Sequence, residues 1–156
     1  MRVDLPQPLK SGDKVSFQIA WSYNINDRNF QGGRSGYEYF PAEDNYVYTI
    51  AQFFPRMCVY DDVVGWQNKQ FLGRSEFTLP FGDYKVSITV PADHVVAATG
   101  MIKNPQQVLS KTEIERFEKA KTTFDKPVVI VTQDEAVAKE KTKSKEKKTW
   151  QFDATN

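Results

Sequence analysis

Tyr84-Lys85-Val86-Ser87-Ile88-Thr89-Val90 decides the fold class. Tyr84, Val86, Ile88 and Val90 alternate with Lys85, Ser87 and Thr89. A period of two sends successive side chains to opposite faces, so this run predicts a half-buried strand. Phe81-Gly82-Asp83 reads as the turn into it and Pro91-Ala92-Asp93 as the turn out. The same period recurs upstream, where Val15, Phe17, Ile19, Trp21 and Tyr23 alternate with Ser16, Gln18, Ala20 and Ser22. A strand is expected there too.

Further strands are expected at Tyr46 to Phe54, at Phe77 to Leu79, at His94 to Ala98, at Val128 to Val131 as a short buried one, and at Lys147 to Ala154. Asn24 to Gly36, rich in Asn, Asp, Gly and Arg, reads as a long loop, and Arg56 to Trp66 as a turn-rich crossing. The character changes at Asn104. Pro105 suits the first position of a helix capped by Asn104. Ser110 with Glu113 three residues on is a capping-box pattern, and Ile114, Phe117 and Ala120 or Lys121 form an apolar stripe at helical spacing. Asp134 to Lys141 is helix-like, and the Lys139–Lys148 run reads as a solvated hairpin or helix end. The predicted architecture is mostly β: an antiparallel sandwich or saddle-shaped bent sheet with one or two short inserted helices. It is expected as a single domain over 1–156, with 104–148 a helical, Lys-rich insertion. A sheet ending with the last strand would leave an edge for more chain, or a partner, to cover.

A chain of 156 residues, 40% hydrophobic and 13% aromatic, can bury a core without metal or disulfide support. Twenty-one basic against 20 acidic residues leave +1, so no global field steers the protein to nucleic acid or to an anionic membrane. The start, MRVDLPQPLKSGDK, carries no apolar signal region, and no apolar run reaches bilayer-spanning length. The compartment stays open.

One histidine, His94, and one cysteine, Cys58, cannot supply the usual ligand set of a catalytic zinc. His94 reads as an ordinary strand or turn residue and Cys58 as a small buried hydrophobe. A Cys58–His94 nucleophilic pair would require the two to meet. Asp61 and Asp62 are adjacent and so do not form a paired acid/base site; one of them caps a turn or pairs with Arg56 or Arg74. Gly32-Gly33-Arg34-Ser35-Gly36 matches neither a phosphate-binding nor a dinucleotide fingerprint and reads as a flexible loop. Tyr37, Tyr39 and Trp66, expected in loops, are candidates for a stacking platform or an apolar pocket, set against core packing.

Taken in order, several elements resemble the zinc aminopeptidase-N family (gluzincin aminopeptidases). Pro8-Leu9, Gly12, Phe17, Ile19, Trp21 and Tyr23 resemble its approach strand. Gly36-Tyr37 stands where a Gly-hydrophobic-Tyr element belongs. Thr49-Ile50-Ala51-Gln52 is similar to its Thr-Gln-x-Glu turn, with Arg56 following. Val90-Pro91-Ala92-Asp93 and Ala97-Ala98-Thr99-Gly100 resemble its Pro turn and Ser-Asn-Gly hairpin. The resemblance covers roughly residues 5–100. Ile50 replaces a Gln, the Gln52–Arg56 gap is one residue short, and the family's Gly-x-Met-Glu-Asn and His-Glu-x-x-His elements are absent.

The resemblance implies a non-catalytic amino-terminal domain that walls the substrate cleft of a larger enzyme. Zinc would belong to the catalytic domain of the same polypeptide, and this chain would hold none. Gln52 matches the position that holds the free amino terminus of the peptide substrate, while Arg56 and Asp61 are expected as a structural pair. The alternative is a stand-alone β-sandwich module binding carbohydrate or protein.

Overall fold

The computed structural model describes residues 1–69 and 80–155. The expectations at Phe77 to Leu79 and at Arg74 lie outside the described residues. Strand exceeds helix, 23% against 18%, in small open antiparallel sheets with a few short helices. The chain forms two compact units, one of Met1–Phe40 with Tyr46–Met57, the other of Pro41–Asn45 with Cys58–Asn156.

In the first unit, α1 (Arg28–Gln31) is a single turn started by Asp27, whose carboxylate accepts from the Asn29 amide. Strand β1 (Gly36–Phe40) pairs with β2 (Asn45–Thr49). Val15 to Tyr23 lies outside every strand, contrary to its alternation. Val15, Phe17, Trp21 and Tyr23 are 45–54% exposed. Period two marks a chain that could cover an apolar surface, and here these side chains stay about half exposed. The strand expected over Tyr46 to Phe54 stops at Thr49, where Ile50 to Phe54 leaves the ladder. The expected long loop holds both α1 and the start of β1, so Tyr37 and Tyr39 are strand residues.

In the second unit, β3 (Tyr60–Asp61) and β4 (Gly65–Trp66) make a minimal hairpin. Then come β5 (Tyr84–Pro91), β6 (Met101–Ile102), α2 (Pro105–Val108), α3 (Lys111–Ala120), α4 (Gln133–Glu140) and β7 (Lys147–Ala154). The sheet order is β5-β7-β6. Strand β7 therefore lies in the middle: β5 pairs it from Tyr84↔Ala154 to Pro91↔Lys147, and β6 pairs it at Met101↔Asp153 and Ile102↔Phe152. The last strand is thus not the sheet edge its place in the sequence implies. The three helices interrupt what is otherwise a connection between the adjacent strands β6 and β7.

The core follows from the alternation. Trp150 and Phe152 are buried on one face of β7, opposite Ile88 and Val86 of β5. Val108 of α2 is buried with them, and Ile88, Val90, Val96, Ile102 and Leu109 pack around. Burying side chains of this size contributes roughly 1.5–3 kcal/mol each. Gly100 turns the chain into β6 at φ +99, and a Cβ there would stand 2.5 Å from the Asp153 carbonyl oxygen. Only glycine combines that conformation with so close an approach.

Of the two caps the sequence predicts, the Ser110–Glu113 box forms and the Asn104 cap does not. Pro105 opens α2, though the Asn104 side chain makes no cap. It is 7% exposed and instead donates to the Thr149 carbonyl at 2.8 Å and accepts from the Gln151 amide at 2.9 Å, tying α2 to β7. Ser110 and Glu113 form the capping box of α3, and Thr132 and Glu135 form another on α4. Val128 to Val131 is neither strand nor buried, with Val129 61% exposed, and His94 to Ala98 follows its turn without joining a ladder. Single runs of three or four apolar residues do not distinguish a strand from an extended connection.

Candidate functional site

Gln52 lies three residues past the end of β2, in an exposed bend at φ +54. Left-handed backbone is uncommon outside glycine, and Asn and Asp favour it because their short side chains bond locally. Gln52 lacks that compensation: its side chain makes no hydrogen bond among the described residues. Conformations of this kind cost on the order of 1 kcal/mol and persist only where the surroundings impose them.

Both flanks of Gln52 are tied. The Ser35 hydroxyl donates to the Ala51 carbonyl at 2.8 Å, and the Ala51 amide donates back to the same oxygen at 2.7 Å. The Trp21 indole N–H donates to the Phe53 carbonyl at 2.9 Å. Ser35 is in turn set by Gly36, which is buried, at φ +150, and would place a Cβ 2.6 Å from the Asn26 carbonyl. The Tyr37 amide donates to that same carbonyl at 2.9 Å. Beside this arrangement a small cavity of about 60 Å³ is lined by Tyr23, Ile25, Asn26, Ser35, Gly36 and Ile50. The segment Gly32 to Gly36 read as a flexible loop therefore ends in a defined side-chain bracket.

Tyr37 and Tyr39 of β1 meet Tyr46 and Tyr48 of β2. Tyr46 stacks on Tyr48 with centroids 6.0 Å apart and 22° between planes, whereas Tyr37 meets Tyr46 edge-on at 71°. Burial, followed by the neighbouring Tyr46 and Tyr37 phenols, raises the Tyr48 pKa. Trp66 packs separately, edge-on against Tyr60 at 5.2 Å.

The remaining sequence candidates are structural in their contacts. The Asp61 carboxylate accepts from the Val64, Gln67 and Val63 N–H groups, which hold its pKa below the usual range, so Asp61 caps its own turn. The Arg56 guanidinium stands over the Phe54 ring, 5.6 Å from its centroid. His94 Nδ1 lies 3.0 Å from Asp93, which also accepts from the Ser144 amide and the Thr142 hydroxyl. Burial pushes the Asp93 pKa up, and these hydrogen bonds outweigh it, leaving it lowered. Cys58, expected buried, is exposed. Among the described residues no group of three His, Cys, Asp or Glu side chains could hold a metal ion. No helix among them is long and apolar enough to cross a membrane.

The aminopeptidase resemblance implied a role for Gln52 and none for Ser35 or for the Trp21 hydrogen bond. A hydroxyl that replaces a ladder partner leaves no periodic signal, and Trp21 reads from its alternation as a core residue. No protein-family model matches the chain, and neither a curated protein nor a solved structure shows significant similarity to it.

Proposed function

We propose that the chain is the non-catalytic amino-terminal domain of a zinc-dependent aminopeptidase, walling the substrate cleft and helping to anchor the peptide's amino terminus through Gln52. The observation that carries this reading is the display of Gln52: exposed, left-handed, and without a hydrogen-bond partner of its own among the described residues. The side-chain amide oxygen of such a residue can accept from an α-ammonium group. The half-exposed apolar side chains of Val15, Phe17, Trp21 and Tyr23 support a further element of the reading, since a catalytic domain of the same polypeptide would cover apolar surface of this kind. The peptide-bond chemistry belongs to that domain, and this chain contributes binding.

The test is Gln52→Ala in the full native polypeptide, assayed on free-amine and N-acetylated peptides. Loss of one hydrogen bond to a charged group corresponds to roughly a 10- to 150-fold rise in KM for the free-amine substrate. An unchanged KM would remove Gln52 from the site. The alternative of a free-standing carbohydrate module rests on the tyrosine face, whose rings lie between 22° and 71° of one another and offer no single stacking plane.

A further inference from the structure

We infer that Ser35 and Trp21 are positioning residues that pre-set the Gln52 turn for the substrate's α-ammonium group, an inference that rests on the aminopeptidase reading above. Three backbone groups flanking Gln52 are held by side chains distant in sequence. Ser35 satisfies both the N–H and the C=O of Ala51, at 2.7 and 2.8 Å. It thereby substitutes for a strand partner at the point where β2 has left its ladder. Trp21 holds the Phe53 carbonyl at 2.9 Å from the other side. With residues 51 and 53 fixed, residue 52 has little freedom but to bridge them, and it does so at φ +54.

The contrast with the other non-glycine residues at positive φ is informative. Asp44 follows β1 in the tight turn 41–44, and Lys143 follows the end of α4, both at ordinary reversals of the chain. Gln52 is at no such reversal closed by its own local hydrogen bonds; its conformation is imposed through Ser35 and Trp21. Pre-setting matters because an unclamped glutamine would have to be ordered on each binding event, at the expense of affinity. The clamp acts on substrate binding and leaves the bond-breaking step alone, so its signature is KM without kcat. Gly36 extends the same device: any side chain there drives into the Asn26 carbonyl and displaces Ser35 with it.

The experiment has two arms on the same variants: Ser35→Ala, Ser35→Thr and Trp21→Phe. In the first, nuclear magnetic resonance on the 156-residue chain follows the Ala51 amide and the Gln52 intraresidue HN–Hα distance, which is short only at positive φ. Ser35→Ala is expected to speed Ala51 exchange roughly tenfold and to lengthen that distance, while Ser35→Thr, which keeps the hydroxyl, restores both. The β5 and β7 amides serve as the internal control for folding. In the second arm, KM for a free-amine peptide is measured with the full native polypeptide. Ser35→Ala and Trp21→Phe are expected to raise KM several-fold with kcat unchanged, and neither is expected to add to Gln52→Ala. A Gln52 that stays left-handed and an Ala51 that stays protected in both Ser35→Ala and Trp21→Phe would overturn the clamp. A clamp that behaves as expected while Gln52→Ala leaves KM unchanged would instead overturn the amine-anchor reading on which its purpose rests.

Discussion

Lys139, in the last turn of α4, reaches across to the carboxylate of Glu113, the third residue of α3, which is only 2% exposed. The same carboxylate accepts from the Ser110 amide at 2.7 Å and closes the α3 capping box. The arrangement is reciprocal, because Arg116 of α3 donates to Glu135, the third residue of α4 and the closing member of its own capping box. Each capping-box carboxylate is thus paired with a base from the other helix. A pair of capping boxes fixes the inserted helices against one another without a large apolar interface.

Removing Lys139 leaves a buried carboxylate with its capping bond alone. Lys139→Met is expected to destabilise the chain by roughly 2 kcal/mol, below the 3–5 of a fully buried pair because Lys139 itself is partly exposed. Urea unfolding followed by circular dichroism measures it. The Lys139→Met/Glu113→Gln double variant should recover part of the loss.

Acid should weaken the same helices. The hydrogen bond from Arg116, then that from the Thr132 amide, lowers the Glu135 pKa from 4.5 to about 2. Burial pushes Glu113 up, but Lys139 and Ser110 outweigh it and leave its pKa lowered as well. Groups with depressed folded pKa values stabilise the fold above their unfolded pKa, and that contribution is lost as pH falls through the folded value. Stability is therefore expected to be full above about pH 4.5 and to decline towards pH 2. Thermal unfolding across that window checks this, and Glu135→Gln should flatten the decline.

The sheet core makes a separate prediction. Phe152 is 5% exposed and lies beside Trp150 and Val108. Phe152→Ala is expected to cost about 3–5 kcal/mol, from lost burial and the cavity left behind. Chemical denaturation of the chain gives the value directly.

Gly100→Ala tests a close approach of backbone to backbone. The new Cβ would meet the Asp153 carbonyl oxygen at 2.5 Å and the carbonyl carbon at 2.8 Å. The expected result is a loss of about 1–3 kcal/mol, localised to the β6–β7 pairing. Faster exchange of the Lys103 amide, which donates to the Gln151 carbonyl, is the local readout.

What the sequence foretold and what it missed divide along physical lines. Tyr84 to Val90 and Lys147 to Ala154 were legible because their alternation is matched by a buried face. The Ser110–Glu113 box was legible because capping depends on neighbours in sequence. Val15 to Tyr23 shows the same alternation and forms no strand, because pattern reports the capacity to cover a surface and not the presence of one. The central place of β7 was hidden, since strand order depends on contacts between residues far apart. Gln52 was proposed through a family-like turn motif, while Ser35 and Trp21 are tied to its turn only by hydrogen bonds that span 16 and 32 residues.

The central proposal is that this chain is the amino-terminal domain of a zinc aminopeptidase, and reading the native coding frame past the codon for Asn156 tests it most directly. The account predicts an open frame that continues into Gly-x-Met-Glu-Asn and then His-Glu-x-x-His with a distal glutamate. A stop soon after Asn156 would contradict it and would leave a free-standing β-rich module in its place.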